Sequence, residues 1–302
     1  MEDGPRPFQD HTVLWYHDKS TFYANDRRKV GWVHKDAKAV PHPKGEGASL
    51  MVADFISAHY GWLRSPDLMK SARVLFKAGV ERGGYFTNED ILLQVWTSMD
   101  VLDVYYPDEQ HVFVFDNATT HLKRADDALS AQKMPKNPSK PDNSFGVERN
   151  KLGADGKPIY GPDRKPIKEK VGMANGTFRD GHEQEFYFLE GHPQAGFFKG
   201  MALILEEHGY TGCTGTKGKP AECAKFKCPP GVIDCCCHRI LFNEPDFVNV
   251  PSLLELECNE QGYGVIFLPK FYPELNPIEQ CWGSSKRTYR KFPASSKEAD
   301  LE

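Results

Sequence analysis

The sequence predicts an α/β fold in which a mixed β-sheet is flanked by helices. Apolar residues recur at three- and four-residue steps in residues 88–105 and 277–291, a spacing typical of amphipathic helices. Short runs rich in β-branched and aromatic residues, typical of strands, occupy residues 12–17, 48–56, 60–63, 111–115 and 264–268. Because both classes of element recur along one chain, an α/β layout is expected.

The order of these elements refines the prediction. The first three strands are short and close together, so we expect an antiparallel meander. The helix over residues 88–105 can be capped by Thr87 or Asn88, and acidic residues in its first turn favour its dipole. The apolar run at 111–115 is expected to be a central strand. The predicted order is three strands, a helix, a strand, interrupted helices, a strand and a helix. This is the order of elements in the ribonuclease H-like fold.

The middle of the chain has a different composition. Proline, glycine, lysine and aspartate dominate residues 135–185, which predicts a long loop with a small hairpin near 156–167. Helices are expected again at 196–208 and 235–242. We therefore predict an N-terminal tail (1–11), one domain (12–291) that carries a large insertion at about 130–260, and a disordered tail (292–302).

Composition and charge restrict the classes of protein. The 302 residues contain no apolar run long enough to span a membrane, and the charged, proline-broken start lacks the apolar stretch of a secretory signal. We expect an intracellular protein without a membrane partner. The net charge of −4 does not indicate nucleic-acid binding. Basic clusters at 149–170 and 286–291 are either phosphate contacts or solvated surfaces.

Three carboxylates occupy positions where a metal site could form. Asp18 ends the first strand, Asp116 follows the strand at 111–115, and Glu279 lies in the first turn of the last helix, after Asn276 as N-cap and Pro277. Each has a purely structural alternative: a surface residue, an Asx turn and a capping box, respectively. Together, three carboxylates at one sheet edge can hold two divalent ions about 4 Å apart, and oxygen ligands suit Mg²⁺ or Mn²⁺.

Two of these carboxylates lie in motifs that resemble a known family. Residues 115–121 (Phe-Asp-Asn-Ala-Thr-Thr-His) and 275–282 (Leu-Asn-Pro-Ile-Glu-Gln-Cys-Trp) resemble the second and third blocks of Tc1/mariner-like DDE transposases, and His17-Asp18-Lys19-Ser20 resembles the first. The resemblance implies a ribonuclease H-like DNA endonuclease and strand transferase, nuclear, acting on transposon ends and target DNA, with a homodimer as one option. It also implies a catalytic and metal-binding triad of Asp18, Asp116 and Glu279, supported by Asn117, His121 and Asn276.

The sequence departs from the family pattern in three ways. Lys19 replaces the usual glutamate beside the first aspartate. Glu279 follows Asp116 by 163 residues, several times the usual gap, which is why an insertion is expected, as in some lineages found in fungi. The 17 residues before Asp18 are too few for a helix-turn-helix module that reads transposon ends. The alternative function is therefore a catalytically inactive, truncated or domesticated transposase domain that binds DNA or protein.

Six of the eight cysteines lie in residues 213–237. In an intracellular protein they are thiols or metal ligands rather than disulfides. Cys213, Cys223, Cys228 and Cys235 could hold a structural Zn²⁺ ion, which would make residues 210–240 a zinc-stabilised interaction module. Their spacing is irregular, without a Cys-x-x-Cys pair. The alternative is a set of partly buried thiols at the start of a helix.

Overall fold

The computed structural model describes residues 11–26, 34–36, 38, 45–77, 85–140, 145–153, 158–163 and 165–292. Most of both predicted tails lies outside these residues. The strands are β1 (Thr12–Tyr23), β2 (Ser49–Ser57), β3 (Gly61–Trp62), β4 (Val74–Phe76), β5 (Gln110–Phe115), β6 (Val147–Asn150), β7 (Lys168–Val171), β8 (Gly176–Thr177), β9 (Glu183–Gln184) and β10 (Gly264–Phe267). The α-helices are α1 (Asn88–Tyr105), α2 (Met201–Glu207), α3 (Cys237–Phe242), α4 (Pro245–Val248), α5 (Leu253–Glu260) and α6 (Ile278–Tyr289).

The chain divides into two compact units. The first unit joins Met1–Lys123 to Ser252–Glu302, and the second is Arg124–Pro251. Each has a hydrophobic core of its own. Neither unit holds, within the described ranges, a helix that is long and apolar enough to cross a membrane.

The sheet of the first unit is mixed. Its strand order is β10-β5-β1-β2-β3, with β4 also paired to β2. As predicted, the first three strands form an antiparallel meander, whereas β1 runs parallel to β5, and β5 runs parallel to β10. This α/β arrangement is compatible with the ribonuclease H-like fold.

One face of the sheet carries the main core. Val13 and Trp15 alternate with less buried residues along β1, and they share this core with Ile91 and Val95 of α1. Helix α1 has the predicted bounds, and Thr87 caps it in a capping box with Asp90. Helix α5, which we did not predict, adds apolar residues to the same core. The apolar face of α1 therefore covers the apolar face of β1.

Strand β1 is longer than predicted, and Asp18 lies inside it rather than at its end. Pairing with β2 continues as far as Tyr23, opposite Ser49. Phe22 also packs its ring edge-on against Trp282, with 6.4 Å between the ring centroids. Strand pairing and packing against α6 thus extend the strand through the polar Lys-Ser-Thr sequence, beyond the predicted residues 12–17.

In its described part, the second unit combines the small hairpins β6–β7 and β8–β9 with the short helices α2, α3 and α4. Its core is apolar, with Phe186, Phe198 and Met201 fully buried. The hairpin predicted near 156–167 is present in its described part, where the Ile167 amide donates to the Ile159 carbonyl (2.8 Å). Helices α2 and α3 start later than predicted. That the unit is an insertion into a shorter parent fold stays a prediction.

Candidate functional site

Asp18 of β1 lies level with Asp116, which directly follows the neighbouring parallel strand β5. The β1–β5 register pairs Thr12 with Gln110 and Tyr16 with Val114. Continued by two residues, this register places Asp18 beside Asp116, the first residue after β5. Neighbouring strands lie about 4.8 Å apart. The two carboxylates therefore share one edge of the sheet because of strand register alone.

Helix α6 places Glu279 at the same edge. Trp282, one turn further along the helix, is buried and packs against Trp62 of β3, with 5.2 Å between the ring centroids. Tyr289 packs edge-on against Phe22 of β1 at 5.5 Å. These aromatic contacts hold α6 across β1, so that the first turn of the helix, with Glu279, lies near Asp18.

Asn276 has a different role from the predicted one. Its side chain does not cap α6. Instead Asn276 Nδ2 donates to the backbone carbonyl of His17 (3.0 Å), and the Asn276 carbonyl accepts from the Glu279 amide (3.2 Å). The bond to β1 forms because Asn276 is buried against that strand. The capping-box alternative for Glu279 is therefore wrong, and Asn276 ties the start of α6 to the strand that carries Asp18.

The three carboxylates line one cavity of about 200 Å³. Asn117 and Asn276, both expected to support the site, line it as well, together with residues 268–273. His121, the third supporting residue, lies behind Asp116 rather than in the cavity wall. The three predicted carboxylates thus lie together in one cavity of the first unit.

The electrostatics of the two aspartates differ. Burial, with a further contribution from the neighbouring Glu279 and Asp116 carboxylates, raises the pKa of Asp18 to about 7. Asp116 has its pKa lowered, chiefly because it accepts a hydrogen bond from His121. His121 Nδ1 lies 2.5 Å from Asp116 Oδ1. Of the two aspartates, Asp116 is therefore the one that ionises more readily.

Two buried histidines support the site from the core side. His121 packs its ring against Phe115 and His17, with centroids 5.1 and 5.4 Å away. The ring of His17, which we did not single out, is buried, and its Nε2 donates to Gln94 Oε1 (3.1 Å). Burial lowers the pKa of His17 to about 3, so the ring is neutral. The alternation of Val13, Trp15 and His17 along β1 was the sequence pattern that could have identified it as buried.

Lys19 lies away from the carboxylates. Its ammonium group is 5.6 Å from the ring centroid of Phe86, and strand alternation directs it to the face opposite Asp18. Lys19 therefore adds no cation to the carboxylate edge.

The loop at the mouth of the cavity carries an exposed aromatic residue in a strained conformation. Phe271 has a φ of 72°, a region unfavourable to a bulky side chain, and 85% of the residue is exposed. Lys270 Nζ lies 5.1 Å from its ring centroid. No local sequence pattern marks Phe271 as strained.

The group of four cysteines that come together in the second unit differs from the predicted set by one member. Cys223, Cys228 and Cys235 come together as predicted, but the fourth member of the group is Cys236. Cys213 is buried elsewhere, in the apolar core that also contains Cys237. The assignment of Cys213 was wrong because the apolar core around α2 and α3 takes up this thiol.

The two basic clusters are partly neutralised. In the second unit, Arg149 Nε donates to Glu169 Oε1 (2.7 Å) across β6 and β7. In the first unit, Arg290 pairs with Asp26 (2.7 Å), and Lys286 Nζ lies 5.7 Å from the Phe22 ring centroid. Some basic residues of each cluster therefore make contacts within the fold.

Comparison with known proteins gives matches among solved structures. No protein-family model matches the sequence, and no curated protein matches it. The Mos1 mariner paired-end complex with Mn is 19% identical, with a TM-score of 0.29 over 37% of this chain and 30% of that chain. The Mos1 transposase paired-end complex with left transposon end is 19% identical, with a TM-score of 0.29 over 39% and 31%. The matched region thus spans about a third of those transposase chains.

Proposed function

We propose that the first unit is a divalent-metal-dependent DNA endonuclease and strand transferase of transposase type. The observation that carries the proposal is the cavity lined by Asp18, Asp116 and Glu279 at the edge of a mixed sheet. Strand register brings the two aspartates together, and α6 adds the glutamate from a distant part of the sequence. Such convergence has no evident structural purpose, because three adjacent carboxylates repel one another.

The residues present fit Mg²⁺ or Mn²⁺. Carboxylate oxygens are the ligands that these ions prefer. Asn276 Oδ1 adds another oxygen at the cavity: it is buried and, among the described atoms, has no hydrogen-bond partner. A cation or its water shell would satisfy this oxygen and offset the repulsion between the carboxylates. Asp18, Asp116 and Glu279 would hold the ions.

The chemistry follows from this ligand set. Bound divalent ions would activate a water or 3′-hydroxyl for attack on a phosphodiester and stabilise the leaving oxygen. His121 orients the Asp116 carboxylate, and Asn276 fixes the start of α6 on β1. At the mouth of the cavity, Lys270 supplies a charge for a DNA phosphate, and the exposed rings of Phe271 and Tyr272 offer surfaces on which bases can stack.

Plasmid nicking tests the proposal. Supercoiled plasmid DNA is incubated with the purified chain in Mn²⁺, Mg²⁺ or excess chelator. We expect Mn²⁺-dependent conversion to nicked or linear DNA, lost at least 100-fold in Asp116→Asn and Glu279→Gln. Glu274→Gln, an exposed glutamate in the same segment, is the matched control and should cut like the unmodified chain.

Two results would contradict the proposal. Equal cutting by the unmodified chain and Asp116→Asn would show that the cavity is not the catalytic centre. Absence of cutting in every metal, with DNA retained in a gel-shift assay, would instead support the alternative of an inactive domain that binds DNA.

A further inference from the structure

Four thiols of the second unit converge on one point. The sulfur atoms of Cys223, Cys228, Cys235 and Cys236 all lie within 4.8 Å of one another, the only such group of histidine, cysteine or acidic ligands in the described part of the chain. These cysteines come from two chain segments on either side of a proline-containing loop. All four are free thiols.

The sulfur separations fit a shared metal ion better than a disulfide. Cys228 Sγ and Cys236 Sγ are 4.0 Å apart. A disulfide would bring two sulfur atoms to about 2.05 Å. Four thiolates around one Zn²⁺ ion at about 2.3 Å lie about 3.8 Å from one another. The observed separation is close to this tetrahedral value.

The consecutive cysteines 235–237 present no obstacle to a four-ligand site. Helix α3 begins at Cys237. This cysteine is fully buried in the core that also contains Cys213. Cys236 precedes the helix in an extended conformation. The change from extended strand to helix between these two residues sends their thiols in different directions. Two of the three cysteines are therefore left for the group.

Most of the segment that carries the thiols is solvent-accessible. Among residues 214–235 whose side chains are described, none is buried, and Ile233 is 63% exposed. Its ordered shape nevertheless includes a 3₁₀ turn at Ala224–Phe226. Short segments without buried apolar area are commonly stabilised by a metal or by disulfides. The free thiols favour a metal.

Nearby polar contacts hold the two thiol-bearing segments together. The Cys237 and His238 amides donate to the carbonyls of Pro220 and Ala221, both at 3.0 Å. Lys219 Nζ donates to the Asp234 carbonyl (2.6 Å). Lys227 and Arg239 border the group and would offset the negative charge of four thiolates around one Zn²⁺ ion.

We propose that Cys223, Cys228, Cys235 and Cys236 bind one structural Zn²⁺ ion. The site is closed, because four protein ligands leave no position for substrate, and its role is to order residues 214–236. Cys213 is outside the ligand set. This proposal is independent of the nuclease proposal, since the two concern different units of the chain.

Metal analysis of the full-length chain tests the site. The chain is purified without chelator after expression with added zinc, and bound metals are measured by mass spectrometry. We expect one zinc per chain, and less than one fifth of that in Cys236→Ser. Cys213→Ser and Cys281→Ser are matched thiol controls and should keep one zinc each.

A second measurement uses only the unmodified chain, so its outcome does not depend on whether a variant folds. The unmodified chain is stripped of metal under reducing conditions and titrated with Co²⁺. We expect the intense ligand-field bands of tetrahedral cobalt with thiolate-to-cobalt charge transfer, saturating at one equivalent, and their loss on addition of Zn²⁺. Absence of these bands, iron in place of zinc, or equal zinc loss in Cys213→Ser and Cys236→Ser would overturn the proposal.

Discussion

At the scale of single residues, the charge at the sheet edge is controlled by side chains behind it. Asp116 is kept ionised by the His121 hydrogen bond, whereas Asp18 is pushed towards the neutral form by burial and by its carboxylate neighbours. Asp116 was predictable from its position after an apolar strand. The partner of His121 was not predictable, because the four residues between Asp116 and the histidine fold back as a turn.

Replacement of His121 should weaken metal binding. His121→Phe keeps the ring packing against Phe115 but removes the donor to Asp116, so the carboxylate loses its orientation. Loss of such a supporting bond typically lowers metal affinity 10- to 100-fold. We expect about a 10-fold higher Kd for Mn²⁺ by calorimetric titration. His121→Asn restores a nitrogen donor near the Nδ1 position and should recover part of the affinity; equal Kd values for His121→Phe and the unmodified chain would exclude this role.

A second residue-scale prediction concerns the buried Asp54. Its carboxylate accepts a hydrogen bond from Arg73 Nε (2.6 Å), and burial raises the pKa of Asp54 while Arg73 opposes the increase. Arg73→Met removes the opposing cation, so the pKa of Asp54 in the folded state rises further. The folded state then favours the protonated acid, and its stability falls as pH increases through that pKa.

The measurement for Arg73→Met is urea unfolding at pH 5 and pH 8. We expect the free energy of unfolding to fall by about 2 kcal/mol at pH 8 and by less at pH 5. The expected loss at pH 8 is below the range for fully buried ion pairs because Arg73 is half-exposed. Lys70→Met, which removes an exposed cation from the same loop, should change stability little. Equal losses for Arg73→Met at both pH values would contradict this account.

At the scale of elements, helices with local start signals were predictable and strand ends were not. The bounds of α1 follow from its apolar spacing and its Thr87 cap. Helix α5 also has a local signal that we overlooked: Ser252 and Glu255 form a capping box. The end of β1 depends on pairing with β2 and packing under α6, which no neighbouring residue encodes.

The capping box of α1 gives a prediction at this scale. The Thr87 amide donates to Asp90 Oδ2 (2.7 Å), and Thr87 Oγ1 accepts from the Asp90 amide (3.4 Å). Thr87→Ala should cost about 1 kcal/mol in chemical denaturation. Thr97→Ala, at an exposed position inside the same helix, should be neutral or slightly stabilising, because alanine has the higher helix propensity. Equal destabilisation by both variants would show that the cap is unimportant.

At the scale of the whole molecule, the separation of two compact units explains the uneven outcome of sequence reasoning. Motifs drew attention to the three carboxylates of the first unit because Asp116 directly follows β5 and Glu279 lies in the first turn of α6, although Asp18 lies inside β1. The thiol group of the second unit depends on an irregular loop, so spacing could not distinguish Cys213 from Cys236. The surroundings of each side chain decided between them: Cys213 lies in the apolar core with Cys237, and Cys236 lies with the other three thiols.

The central claim is that three carboxylates of the first unit form one divalent-metal site. Anomalous diffraction from crystals soaked in Mn²⁺ tests it most directly. We predict a manganese peak in the cavity, about 2.1 Å from carboxylate oxygens of Asp18, Asp116 and Glu279, and its loss in Glu279→Gln but not in Glu274→Gln. Manganese peaks confined to other parts of the surface, or carboxylates more than about 10 Å apart, too far for a two-ion site to bridge, would contradict the claim.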